Sequence, residues 1–198
     1  MLVFAKKKIA LLAMPKTGTT ALETALSPIA DVVFRDPPSL KHTGAQQFNQ
    51  SLRPLLASKN FDDVELICVL RHPVSWLGSW YRYRSRPYLD GHPNSTKDIT
   101  FDAFVNEYLK GKSEPYAQVG KPEKFIRKNG GGVLVNHLFQ YEQLDLLVDF
   151  LQDRLDTTID LRESNVSPQG DLSLSDDTLA KLMRKRPLMF ADWEQAHR

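Results

Sequence analysis

The chain has a single cysteine, Cys68, so no disulfide forms within it, and its place in the apolar run Val64–Leu70 marks a buried, inert thiol. It also has little net charge. Lys and Arg number 26 against 24 Asp and Glu, and the balance of +2 is too small to argue for a nucleic-acid partner. Positive charge is local, in Lys6–Lys8, Arg82–Arg86 and Lys181–Arg186. No apolar run approaches the roughly twenty residues needed to cross a bilayer, and the first residues lack a signal-peptide pattern, so stable membrane insertion is not expected. No internal repeat or second domain can be read. With 198 residues, 41% of them hydrophobic and 10% aromatic, the chain can bury a core without staples, and one domain spanning 1–198 is expected.

The nucleotide-binding loop G-x-x-x-x-G-K-[ST] is missing as well, yet Leu12–Leu22, LAMPKTGTTAL, has the makings of an anion cradle. An apolar run, Ile9–Met14, ends at Pro15 and gives way to a lysine, a glycine, three threonines and a helical pattern. That order predicts a strand, a tight loop and a helix N-terminus. Unpaired N–H groups and the positive end of the helix dipole hold phosphate or sulfate oxygens there. Gly18 permits close backbone approach, Thr17 supplies a backbone donor, Thr19 and Thr20 add backbone and hydroxyl donors, and Lys16 adds a point charge. The next buried strand, Val64–Leu70, ends in Arg71, where a magnesium-dependent NTPase would hold its metal with an aspartate. Two cations and no carboxylate at the two strand ends suit a polyanion bound without a metal.

Pro15-Lys-Thr-Gly-Thr-Thr20 resembles the 5′-phosphosulfate loop of the sulfotransferases that use 3′-phosphoadenosine 5′-phosphosulfate (PAPS). The run Arg71-His-Pro-Val-Ser-Trp-Leu-Gly-Ser79 resembles that family's second signature, an arginine at a strand end and a serine eight residues on, which together hold the 3′-phosphate. Asn136-His-Leu-Phe-Gln-Tyr-Glu-Gln-Leu and Asn165-Val-Ser-Pro extend the likeness over nearly the whole chain, though only the first two motifs are specific. The late glycine- and lysine-rich motif that grips the 3′-phosphate a second time in cytosolic members is absent, and Arg82, Arg84 or a lysine of the later loops is the candidate replacement. The resemblance implies a P-loop-like three-layer α/β sandwich with a mostly parallel central sheet flanked by helices. It implies PAPS as sulfuryl donor, adenosine 3′,5′-bisphosphate as product, and an acceptor hydroxyl, as on a carbohydrate or glycoconjugate. Relatives that sulfate glycans in the secretory pathway usually carry an N-terminal membrane anchor, and none is read here, so a cytoplasmic protein is expected.

Strand and helix signals alternate along the chain, which independently favours an α/β fold. Val32–Arg35 reads as a short strand, Gln46–Leu56 as a helix, Val74–Arg84 as a helix begun at Pro73, and Phe101–Leu109 as another. Arg86–Thr100 is the least patterned stretch and reads as a mobile loop beside the acceptor. Val133–Phe139 reads as a buried strand, and Leu144–Leu155 and Ser175–Arg184 as helices.

The base that accepts the acceptor proton is assigned to His42, which follows the second strand at the sheet edge and, by resemblance, stands where relatives keep a catalytic histidine or glutamate. Capping of the next helix is the competing reading. Ser79 reads either as a 3′-phosphate ligand or as a small residue at a helix contact. His72 suits a structural or cofactor contact, His137 a satisfied core histidine, His92 a solvated loop. Trp76 and Trp80 fit core packing better than an acceptor cleft. Two other functions remain open: an atypical P-loop kinase, which requires magnesium-dependent ATP turnover, and a non-catalytic relative that binds adenosine 3′,5′-bisphosphate. Neither the acceptor nor the oligomeric state can be read.

Overall fold

A computed structural model describes residues 1–161 and 172–197. Five strands form one sheet: β1 (Leu2–Phe4), β2 (Ile9–Leu12), β3 (Val32–Val33), β4 (Glu65–Leu70) and β5 (His137–Gln140), in the order β3-β1-β2-β4-β5. β1 is antiparallel to both its neighbours, whereas β2, β4 and β5 run parallel. The fold is therefore α/β with a mixed sheet, less parallel than expected from the sequence. The cause is β1, hidden in sequence by its shortness and by the lysines after it. A 3-10 turn at Ala5–Lys7 and left-handed Lys8 (φ 56°) fold β1 back onto β2 as a hairpin.

The register pairs Leu12 with Cys68 and Leu70 with Gln140, so the carboxyl ends of β2, β4 and β5 lie along one edge. The chain leaves β2 for β3 on one side and returns to β4 on the other. Strand order reverses beside β2, and such a switch point opens a crevice at the carboxyl ends of the strands.

By proximity the chain divides into two compact units, residues 1–71 with 122–164 and 192–198, and residues 72–121 with 165–191. In the first, the sheet is apolar on both faces. Val3, Ala10, Leu12, Leu66, Cys68 and Leu70 face Ala45, Phe48 and Ile126, while Leu2, Phe4, Ile9, Leu11, Ile67 and Val69 face Leu22, Leu26, Leu147 and Leu151. A parallel strand buried on both faces reads as an unbroken apolar run, which is why β4 was legible. Helix Leu144–Leu155 presents Leu147, Leu151 and Leu155 at four-residue spacing, and each such leucine contributes about 1.5–3 kcal/mol of burial.

Besides β1, three elements differ from their sequence reading, of which the strand expected over Val32–Arg35 keeps only Val32–Val33. The expected helix Gln46–Leu56 is interrupted: Ala45–Gln47 passes through a π-helical turn, Phe48–Leu52, before Arg53–Ala57. Pro54 has no N–H for the bond that a continuous helix would make there. The expected strand Val133–Phe139 shortens to β5. Val133 instead bridges Arg127 across a turn closed by Gly131 N–H to Lys128 O, and Asn136 pairs with Leu66 through both its backbone N–H and its Oδ1.

The second unit contains helices Pro73–Arg84, Phe101–Tyr108 and Asp176–Lys185 around Trp76, Leu77, Phe104, Val105, Tyr108 and Leu182. Helix Pro187–Glu194 carries the chain back into the first unit. Thr100 and Ser175 cap their helices by accepting from the N–H groups of Ala103 and Thr178. Segment 86–100 is pinned at one end, with Thr96 fully buried and donating to Tyr81 O while Tyr81 Oη donates to Ile99 O. Among the described residues no helix is long and apolar enough to cross a membrane.

Candidate functional site

The loop after β2 is shaped by two left-handed residues, Lys16 at φ 70° and Gly18 at φ 74°. Gly18 caps helix Thr19–Leu26, and its carbonyl accepts from the N–H groups of Ala21 and Leu22. The N–H groups of Gly18, Thr19 and Thr20 have no backbone acceptor among the described residues, as expected for orphan donors at a helix start. Thr17 is fully buried, and its hydroxyl donates to Met14 O at 2.9 Å, closing the loop from within. That hydroxyl is structural, so Thr17 can offer an anion only its backbone. Thr19 is half-buried and Thr20 exposed at the helix start.

Arg71 comes to this loop. Its Nη1 approaches Lys16 O at 3.4 Å, and its guanidinium lies 4.3 Å from the centre of the Tyr141 ring. The same ring limits Gly18: a Cβ there would lie 3.1 Å from Tyr141 Cε2. Tyr141 was missed as a site residue in the sequence. It directly follows β5, as Arg71 directly follows β4, and only the β4–β5 register reveals that the two are neighbours.

His42 is brought to the same strand end. Its Nδ1 lies 2.6 Å from Ala13 O, an acceptor, so Nδ1 carries the proton and Nε2 keeps its lone pair. Burial lowers the imidazole pKa and neighbouring Lys41 lowers it further, while the bond to Ala13 opposes both, leaving it below the ordinary 6.5. The capping role is also real, since His42 closes the short helix Pro38–Lys41 with its N–H on Pro38 O.

Lys16, Thr17, Gly18, Thr19, Thr20, Arg71 and His42 thus belong to one edge of one unit. Ser79 belongs to the other unit, where it is buried on helix Pro73–Arg84. There His72 caps the helix and meets Phe190 edge-on at 6.1 Å. Trp76 is core. Arg84 is committed to protein, donating to Pro115 O and Gln118 O, and burial lowers its pKa, so it is not available to a 3′-phosphate. Arg86 lies over the Tyr83 ring at 5.1 Å. His137 in the first unit pairs with Glu65 at 3.1 Å, and Glu142 accepts from Trp193 Nε1. The Cys68 thiol is buried and its pKa strongly raised by desolvation. Asn165-Val-Ser-Pro lies outside the described residues. Among the described residues no group of three His, Cys, Asp or Glu side chains is placed to hold a metal. Comparison with family models, curated proteins and solved structures finds no match to the chain.

Proposed function

We propose that this chain is a PAPS-dependent sulfotransferase with a P-loop-like three-layer sandwich, acting on an acceptor hydroxyl of a carbohydrate or glycoconjugate in the cytoplasm. The observation that carries the reading is the joining, at one switch-point edge, of a helix-start anion loop, Lys16, Arg71 and a histidine whose Nε2 is left as acceptor. The donor set fits a phosphosulfate: orphan N–H groups at Gly18–Thr20 and two cations, with no carboxylate at the ends of β2 and β4. Arg71 is assigned to the 3′-phosphate and the loop to the 5′-phosphosulfate. PAPS supplies the sulfuryl group; the acceptor oxygen bonds to sulfur as the sulfur–oxygen bond to the phosphate breaks. His42 Nε2 takes the acceptor proton, and Lys16 neutralises the charge left on the phosphate oxygen.

The test is transfer from PAPS to an acceptor panel by wild type, Lys16→Ala and Arg71→Ala, with folding followed by circular dichroism. Loss of transfer in both folded variants is the expected result. Full activity in both overturns the site, and magnesium-dependent ATP turnover by the wild type moves the protein to the kinases.

A further inference from the structure

We infer that Glu23 is a positioning residue of this site, holding the segment Arg35–His42 against the helix that starts at the anion loop. Its consequence for turnover rests on the reading of His42 as base; its structural part does not. Glu23 lies on helix Thr19–Leu26, about one turn beyond Gly18, and is 7% exposed. Its Oε1 accepts from Arg35 Nε at 2.5 Å, and its Oε2 forms an ion pair with Lys41 Nζ at 2.9 Å without the alignment of a hydrogen bond. Those two cations stand at the two ends of the connection that leads from β3 to His42, so one carboxylate clamps both. Burial acts to raise the Glu23 pKa, and the contacts with Arg35 and Lys41 outweigh it, leaving a carboxylate held below its ordinary range.

Stability alone is a poor reason to keep an acid here. The Arg35 side chain is 61% exposed, so its pair with Glu23 adds little stability in water; the more enclosed pair with Lys41 is commonly no better than well-packed apolar residues of the same volume, and Leu22 and Leu26 show that this helix packs such residues readily. Orientation is a better reason. Lys41 is adjacent to His42, and the charges that face the imidazole are Lys41, the Met1 α-amino group and Glu23. Lys41 and the amino group disfavour the imidazolium and Glu23 favours it. The Lys41–Glu23 pair therefore limits how far Lys41 acts on the base and fixes the backbone from which the imidazole reaches Ala13.

The experiment uses the full chain with Glu23→Gln, which keeps the shape and removes the charge, and Lys41→Met. The His42 imidazole is titrated by NMR, its resonance assigned with His42→Gln, and kcat and KM for PAPS are measured in parallel. Glu23→Gln is expected to move the His42 titration to lower pH and Lys41→Met to higher pH. Glu23→Gln is further expected to lower kcat about tenfold, part of the roughly 100-fold or more that a general base contributes, with KM for PAPS unchanged. An unmoved titration in Glu23→Gln, or shifts of the same sign in both variants, overturns the inference. So does a shifted titration with kcat intact. If Glu23→Gln does not fold, Lys41→Met carries the test with its opposite sign. The titration needs no turnover, so an inactive wild type would count against the sulfotransferase reading and leave the clamp to be judged by NMR.

Discussion

Gly18→Ala is a small change with two separable consequences. At φ 74° an L-residue carries about 1–2 kcal/mol of backbone strain that glycine avoids. The added Cβ would also stand 3.1 Å from Tyr141 Cε2, so the ring must give by a few tenths of an ångström. For a chain of this size, 1–2 kcal/mol corresponds to a melting point lower by about 2–8 °C. Tyr141 also supports Arg71 through its ring face, and moving it weakens a contact worth about 0.5–2 kcal/mol, so binding of adenosine 3′,5′-bisphosphate should fall several-fold. Thermal melting and calorimetry on Gly18→Ala, Tyr141→Ala and the double variant separate the two terms. The strain survives in the double variant and the ring contact does not, so the glycine substitution should cost less there, with a coupling of about 0.5 kcal/mol or more. A Gly18→Ala protein that melts and binds as wild type would refute both the left-handed loop and its packing on Tyr141.

Thr17→Val keeps the shape of a fully buried side chain and removes its bond to Met14 O, so it should cost about 1–3 kcal/mol by chemical denaturation. In the free protein the His42 pKa lies below 6.5 and only the neutral ring accepts a proton, so kcat/KM should rise with pH to a midpoint below 6.5 and stay level above it. The same shift makes the folded state bind fewer protons than the unfolded one just below pH 6.5, so the stability tied to His42 should fall as pH drops through that window. A midpoint above 6.5, or a pH profile unaltered in His42→Gln, would remove His42 from the reaction.

Local signals were legible in the sequence and long-range ones were not. Leu144–Leu155 matches its reading because leucines four apart mark the buried stripe within the helix itself. The strand, loop and helix around Pro15–Thr20 were equally readable, since glycine, the lysine beside it and the end of an apolar run are all local. β1 was not, because three apolar residues before a lysine cluster carry no period. Tyr141 and Glu23 escaped for a different reason. One matters through the register of β4 with β5, the other through cations that a turn-rich connection folds back onto it. Arg84 looked like a spare cation until the carbonyls of Pro115 and Gln118 were seen to occupy it.

The most direct measurement is a calorimetric titration of wild type and Arg71→Ala with adenosine 3′,5′-bisphosphate, with and without magnesium, against magnesium-ATP. The expected result is tight, metal-independent binding of the bisphosphate, weakened about 10- to 150-fold in Arg71→Ala, which corresponds to one charge-assisted hydrogen-bonding group worth 1.5–3 kcal/mol. No binding of the bisphosphate, or a preference for magnesium-ATP, would contradict the assignment of this sheet edge to PAPS.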